Sequence, residues 1–437
     1  MIPTAVVSIP RLLMVAALVL PAVWIHAEDG RDRITFNSSV SPRVDAFVVS
    51  EGSEEVTWKV AATSGLQKKK TKEVKRILYA GMIADGVWKK AVDAKQRGRY
   101  EEAAELFGQL ADSGSKEWEK IYGAYQEGEC WELAKKYDDA AKAFTKIVKA
   151  GDFTKDDREA PRHRLWIEGV YRLGVALAEA KKTEEANKVV ESLTGYSKLK
   201  NANSGADARA NGVRAAIAAS AADAGKLREY EQKVILNPVS DSDTWFHFYL
   251  FVADTYRQLG KQKEALKIVE RMIDEPSLAT DPSRKAQAEV IRGLCLMESD
   301  PQGAIVELLK IDLLPYGSED QKCEARFHAA RLMLAEADKL KARPETASDE
   351  RRSTFVTEMQ RTARVLLSAA SSASSNVQAK TDAKALLDKL GPDPAAAPAP
   401  GAAPAGDAGA PAPGAAKAPA PGAAKAPAEK TVNPGAP

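Results

Sequence analysis

Few side chains in this sequence stand where covalent or redox chemistry would need them. Histidine is the first to consider, because its pKa suits proton transfer and its ring nitrogens bind metals. Past residue 27 only His163, His247 and His328 occur, and none has a cysteine or an acid at metal-ligand spacing. Cys130, Cys295 and Cys323 are far apart, and each lies in an apolar helical pattern. An odd number cannot all pair, so they read as buried single thiols. There is no G-x-S-x-G elbow, no phosphate loop and no dinucleotide fingerprint. Carboxylates are plentiful, but they pair with lysines at i to i+4, the pattern of a solvated helix face. The expectation is a chain that binds rather than reacts: no enzyme, no metal, no cofactor.

The strongest charge feature is the run Lys68, Lys69, Lys70, Lys72, Lys75 and Arg76. It suits an anionic polymer, such as envelope glycan or nucleic acid. It also suits a solvated strand edge, where lysine discourages strand-to-strand association. Without interleaved aromatics or a nucleic-acid motif, the edge is the simpler reading. The whole chain has 63 Lys and Arg against 61 Asp and Glu. That balance gives no bulk attraction to nucleic acid or to acidic membranes, and nucleic acid is not expected as a partner.

The elements that would position these residues fall into four segments. Residues 1–27 read as a signal peptide: Arg11, then the apolar run Leu12 to Val23, then small-residue cleavage after Ala27. The run is short for a membrane span, and an uncleaved anchor is the alternative. No second long apolar run follows, so the mature chain is expected to be exported without a membrane span, to the periplasm, the cell envelope or the medium. Residues 28–80 alternate with period two, as in Val56, Trp58 and Val60, and predict a small β meander of three or four strands. Residues 81–390 predict helix after helix. Residues 391–437 are alanine, proline and glycine, which predicts a disordered tail.

Within the helical segment one pattern recurs. Gly98, Tyr100, Ala103 and Phe107 make a turn followed by one apolar helix face. Ala140 with Phe144, Ala186 with Val190, Ala265 with Val269, and Ala304 with Leu308 repeat it. The anchoring alanines lie 37, 46, 79 and 39 residues apart. The double-length gap predicts one degenerate copy between Ala206 and Leu236. A sustained period near 40 means a stacked array, because one helix pair cannot bury its own apolar face.

On these residues, with Gly128, Trp131, Leu173, Gly174, Tyr256 and Gly260, the segment resembles the tetratricopeptide repeat (TPR) family, although its period is longer. The resemblance implies a mainly α fold: an α-solenoid of TPR-like helix pairs, behind a small N-terminal β meander and before a disordered C-terminal tail. It also implies that the first helix of each pair lines a concave groove. Its implied groove residues include Asp85, Trp88 and Lys95, then Tyr122, Tyr125 and Glu129, then Tyr171, then His247 and Arg257. Trp88, Tyr125, Tyr171 and Leu250 would form a stripe suited to a peptide or helix; packing between long helices is the alternative. Acidic Glu129 and Asp254 oppose a clamp for a C-terminal carboxylate. The expected function is an exported bacterial scaffold for protein–protein interaction in the envelope. The alternative is an accessory subunit or enzyme acting on envelope polymers, with the repeats as support.

Overall fold

In the computed structural model the described residues are 30–37, 43–52, 54–84, 86–149, 163–198, 205–313, 317–374 and 377–391. The expected leader, the tail beyond Gly391 and Asp85 lie outside them.

The chain begins with five strands: β1 (Asp32–Phe36), β2 (Arg43–Glu51), β3 (Glu55–Lys59), β4 (Gln67–Lys70) and β5 (Val74–Leu78). They form one antiparallel sheet in the order β4-β3-β2-β1-β5. The strand beyond the expected count is β4. Its sequence, Q-K-K-K, has no apolar alternation, and pairing with β3 makes it a strand. β4 and β5 are opposite edges of the order, yet only a 3-10 turn, Thr71–Glu73, joins them. Four strand spacings in a flat sheet come to about 19 Å, more than a three-residue turn of about 2 Å rise per residue can span. The sheet therefore curls. Lys69 Nζ on β4 lies 4.6 Å from the centre of the Phe36 ring at the end of β1, across the curl. Ile34, Phe36, Ala46, Val56, Trp58, Val74 and Ile77 fill the inside.

Seventeen α-helices follow among the described residues. Ten of them make five pairs: α2 (Val87–Gln96) with α3 (Tyr100–Ser113), α4 (Glu117–Leu133) with α5 (Tyr137–Lys149), α6 (Trp166–Glu179) with α7 (Thr183–Ser197), α8 (Ala206–Ser220) with α9 (Ala224–Lys233), and α10 (Ser242–Gln258) with α11 (Gln262–Ile273). A short α1 (Ala80–Ile83) precedes them. Each pair is closed by the same three-residue turn, whose middle residue is left-handed: Gly98, Lys135, Lys181, Ala222 and Gly260, at φ 72°, 58°, 64°, 55° and 72°. In each, the next N–H reaches back over the helix end. Arg99 donates to the Ala94 carbonyl (2.9 Å), Lys136 to Trp131 (2.8 Å), Lys182 to Leu177 (2.9 Å), Asp223 to Ala218 (2.9 Å) and Lys261 to Tyr256 (2.8 Å). This six-to-one bond satisfies a carbonyl that the helix end leaves open. Five residues after each left-handed residue, a side chain is fully buried: Ala103, Ala140, Ala186, Leu227 and Ala265.

The pair α8–α9 occupies the stretch where the alanine spacing doubles. Its anchor is Leu227 rather than alanine, which is why the pattern fades there. The copy at Asp300 departs more. α12 (Pro282–Leu296) and α13 (Pro301–Leu313) meet through Met297–Asp300, with no positive-φ residue, although Ala304 is buried as an anchor. Beyond it come α14 (Glu319–Lys341), the short α15 (Pro344–Ser348), α16 (Glu350–Ser372) and α17 (Gln378–Leu390). Consecutive helices pack on one another, and α6 also packs on α8, α8 on α10, α10 on α12 and α12 on α14. First helices of successive pairs thus touch. One apolar cluster runs from the sheet through α4 to α8, joining Trp58 and Ile77 to Trp118, Ile121 and Tyr171.

Candidate functional site

Two clusters of charged groups are set into this frame. The first joins the sheet to the helices. Glu51 ends β2 and its side chain is 2% exposed. Its carboxylate accepts from Tyr79 Oη (2.7 Å), Tyr122 Oη (2.6 Å), His163 Nε2 (3.2 Å) and Arg164 Nε. Arg164 Nη2 also donates to Tyr122 Oη at 2.7 Å. Gly52 forms a β-bridge with His163, and the Arg164 N–H donates to the Glu51 carbonyl. His163 Nδ1 accepts from the Leu165 N–H at 3.2 Å, so Nε2 carries the proton it gives Glu51. Burial alone would raise the Glu51 pKa. Arg164 foremost, then His163 and Tyr122, hold it well below the usual carboxylate range. The Glu51 carboxylate thus takes four donors, and both ring nitrogens of His163 are engaged. A cleft of about 370 Å³ beside it is lined by Val49, Tyr79, Glu117, Trp118 and His163.

The second cluster lies on the first helices of the pairs and centres on Glu129 of α4. Lys95 Nζ, from α2, donates to Glu129 Oε2 (2.9 Å) and to Gln126 Oε1 (2.8 Å). Gln126 Nε2 also donates to Glu129 Oε2 at 2.8 Å. His247 Nε2, from α10, stands 3.5 Å from Glu129 Oε1, and Arg172 Nη2, from α6, 3.9 Å from the same oxygen. Arg172 pairs with Glu132. Arg209 of α8 reaches Glu168, Thr244 (2.8 Å) and Asp241 (3.3 Å), and Arg284 of α12 pairs with Asp243. These side chains meet water by degrees: Glu129 is 15% exposed, His247 30% and Asp243 53%.

The electrostatics of this face are uneven. Burial would raise Glu129, but Lys95, then the His247 bond and Arg172, hold it well below its ordinary value. At Glu132 burial outweighs Arg172, and its pKa is pushed up to about 7. Burial, then Arg172, pushes His247 down to about 4, so its ring is neutral at pH 7. Four buried polar atoms here have no hydrogen-bond partner among the described residues: Tyr125 Oη, Glu168 Oε1, and Nε and Nη1 of Arg172.

The structure brings three of the expected groove residues, Lys95, Glu129 and His247, into one contact set. The other described ones make different contacts. Tyr122 serves the sheet junction, because the Glu51 carboxylate needs its hydroxyl. Trp88 stands edge-on to Phe107 at 5.0 Å and to Trp118 at 5.9 Å. Tyr125 and Tyr171 are 6% and 3% exposed, and Tyr171 lies so near Gly212 that a methyl there would come within 2.8 Å of the ring. Arg257 pairs with Asp254 on its own helix at 2.7 Å. The aromatic stripe is thus spent on helix packing, and charges line the face.

Sequence reasoning missed Glu51, Arg172 and Arg209, whereas counting along the helices also gives Glu168 as a groove residue. The signal for Arg172 and Arg209 was a charge at an apolar position, as in V-Y-R-L-G around Arg172. It also missed that the first turn meets α14 and the end of α16. A methyl on Gly98 would stand 2.8 Å from Asp320 Oδ1 on α14 and 3.3 Å from the Ser374 carbonyl after α16. On the opposite side of the pairs, a cleft of about 900 Å³ lies between α5 and α7, with Leu173 and Leu177 in its floor and Lys142 and Lys188 on its rim. All three cysteines are free buried thiols, and burial pushes Cys130 up to about 12. No group of histidine, cysteine and acid residues among the described residues is placed to hold a metal. No described helix is long and apolar enough to cross a membrane.

No family model matches the sequence, and no curated protein matches it.

Proposed function

We propose that the chain is an exported scaffold of the tetratricopeptide-repeat kind, an α-solenoid whose first helices present a binding face to a segment of another protein in the bacterial envelope. One observation carries the reading: Lys95, Glu129 and His247, from three different pairs, converge on a single partly hydrated cluster. The five equal turns support the repeat architecture. The lining refines the partner. A face of paired charges with the rings buried beneath it suits a polar, charged segment better than an apolar helix, because charged rims select by complementarity and reject mismatched charge. The saturated state of Glu51 and His163 is in keeping with a non-enzymatic role.

The test is photo-crosslinking from position 126 in the full-length chain expressed in its native envelope. The expected result is one discrete adduct whose partner peptide maps to a single charged segment and which Glu129→Lys abolishes. Adducts obtained only from position 188, in the opposite cleft, would overturn the assignment of the face.

A further inference from the structure

The basic run was most simply read as edge protection, yet the fold gives it a different form. β4 and β5 are opposite edges, and the Thr71–Glu73 turn carries the run from one to the other where the sheet curls. Lys69 leaves the run: it points inward over Phe36 and pairs with Glu73 at 3.8 Å. Lys68 leaves it too, paired with Glu55 at 3.2 Å. Lys70, Lys72, Lys75 and Arg76 remain exposed, with no ion pair among the described residues. Arg43 of β2, which the register sets across Thr35 from Arg76, does not extend the run, being paired with Asp45 at 3.1 Å. The result is a short basic band of four cations along the β4–β5 turn, on the outside of the curled sheet, in a chain whose total charge is only +2.

We infer that this band is a docking surface for a linear anionic polysaccharide, one carrying carboxylate, sulfate or phosphate along its length. A line of cations on a convex surface follows an extended polyanion, whereas an anionic bilayer would be met by a plane of charge with apolar side chains beside it. Nucleic acid is disfavoured by the rings. Single strands are held by aromatic stacking, and here Phe36 and Trp58 face each other in the core while Arg31 lies over Phe47. Lys72 and Lys75 lie in the turn and at the β-bulge, outside the cross-strand pairs, so they are spare to the ladder itself.

The experiment measures binding of the full-length protein to heparin and to polygalacturonate, with double-stranded DNA and phosphatidylglycerol vesicles as competitors. Both glycans should bind at low salt. Four contacts imply about a 100-fold loss of affinity between about 50 and about 200 mM salt. Replacing Lys70, Lys72, Lys75 and Arg76 by glutamine should remove binding. The same replacement at the exposed Lys142, Lys188, Lys263 and Lys267, which removes equal charge elsewhere, should preserve it. Should the fourfold variant unfold, Lys72→Gln with Lys75→Gln carries the test, with about a tenfold loss expected. Equal loss in the band and control variants, tighter binding to DNA or vesicles than to either glycan, or no glycan binding at low salt would each overturn the inference.

Discussion

The Glu51 junction and the Glu129 face both set a carboxylate among cations and hydrogen-bond donors, but they are finished to different degrees. At Glu51 the oxygens take four donors, with Tyr79, Tyr122 and His163 at 2.6 to 3.2 Å, and the side chain is 2% exposed. At Glu129 two of the four neighbours stand at 3.5 and 3.9 Å, and water reaches the group. Tyr125, Glu168 and Arg172 beside it keep buried polar atoms unused. A fully satisfied buried network rigidifies what it joins, and an incompletely satisfied one is costly unless water or a ligand completes it. The contrast separates a closed joint from an open face, the one proposed above to bind.

The largest expected effect breaks the joint. Arg164→Ala leaves the Glu51 charge buried beside neutral partners and should cost about 3–5 kcal/mol in urea denaturation. Arg284→Ala, on the other face, should cost less than about 1 kcal/mol, because its partner Asp243 is half exposed. Near-equal losses would erase the distinction.

Acidity should separate the two next. Glu51 is depressed in the fold, so its contribution is present above the ordinary glutamate pKa and is lost as pH falls through the folded value. Glu132 runs the other way. With its folded pKa raised from 4.5 to about 7, the native state holds the extra proton between those values, and stability falls as pH rises through that window. The fall should reach about 2–3 kcal/mol, and Glu132→Gln should flatten it, as read from unfolding midpoints across the range.

Two turns of equal backbone then isolate the contact across the chain. Gly98→Ala and Gly260→Ala both place a methyl at φ 72°, which costs about 1–2 kcal/mol. Nothing crowds Gly260, but Asp320 and Ser374 crowd Gly98. Gly98→Ala should therefore lower stability by about 1 kcal/mol more than Gly260→Ala. The smallest effect has the opposite sign. Ala222→Gly relieves a left-handed alanine in the same turn and should stabilise by about 0.5–1 kcal/mol.

Much of the helical architecture was legible because it is local. Helical period and small anchors mark most pairs, and where Leu227 replaces the anchoring alanine the pattern dims. β4 was not legible, since Q-K-K-K is a strand only by virtue of its neighbour. The face was half legible. Counting along the helices reached Lys95, Glu129 and His247, but it also chose Tyr125 and Tyr171, whose rings turn inward. Spacing fixes where a residue sits on a helix, whereas the packing of neighbouring helices decides whether that side meets water. The Glu51 junction was invisible because its members are spread from residue 51 to residue 164 and carry no motif.

The most direct measurement is the unfolding free energy of Glu51→Gln and Glu129→Gln, determined side by side in urea at pH 7. The account predicts a loss above about 3 kcal/mol for Glu51→Gln, where Arg164 is left buried without its counter-charge, and about 1 kcal/mol for Glu129→Gln, where water replaces what is removed. Equal losses, or a greater loss at Glu129, would contradict it.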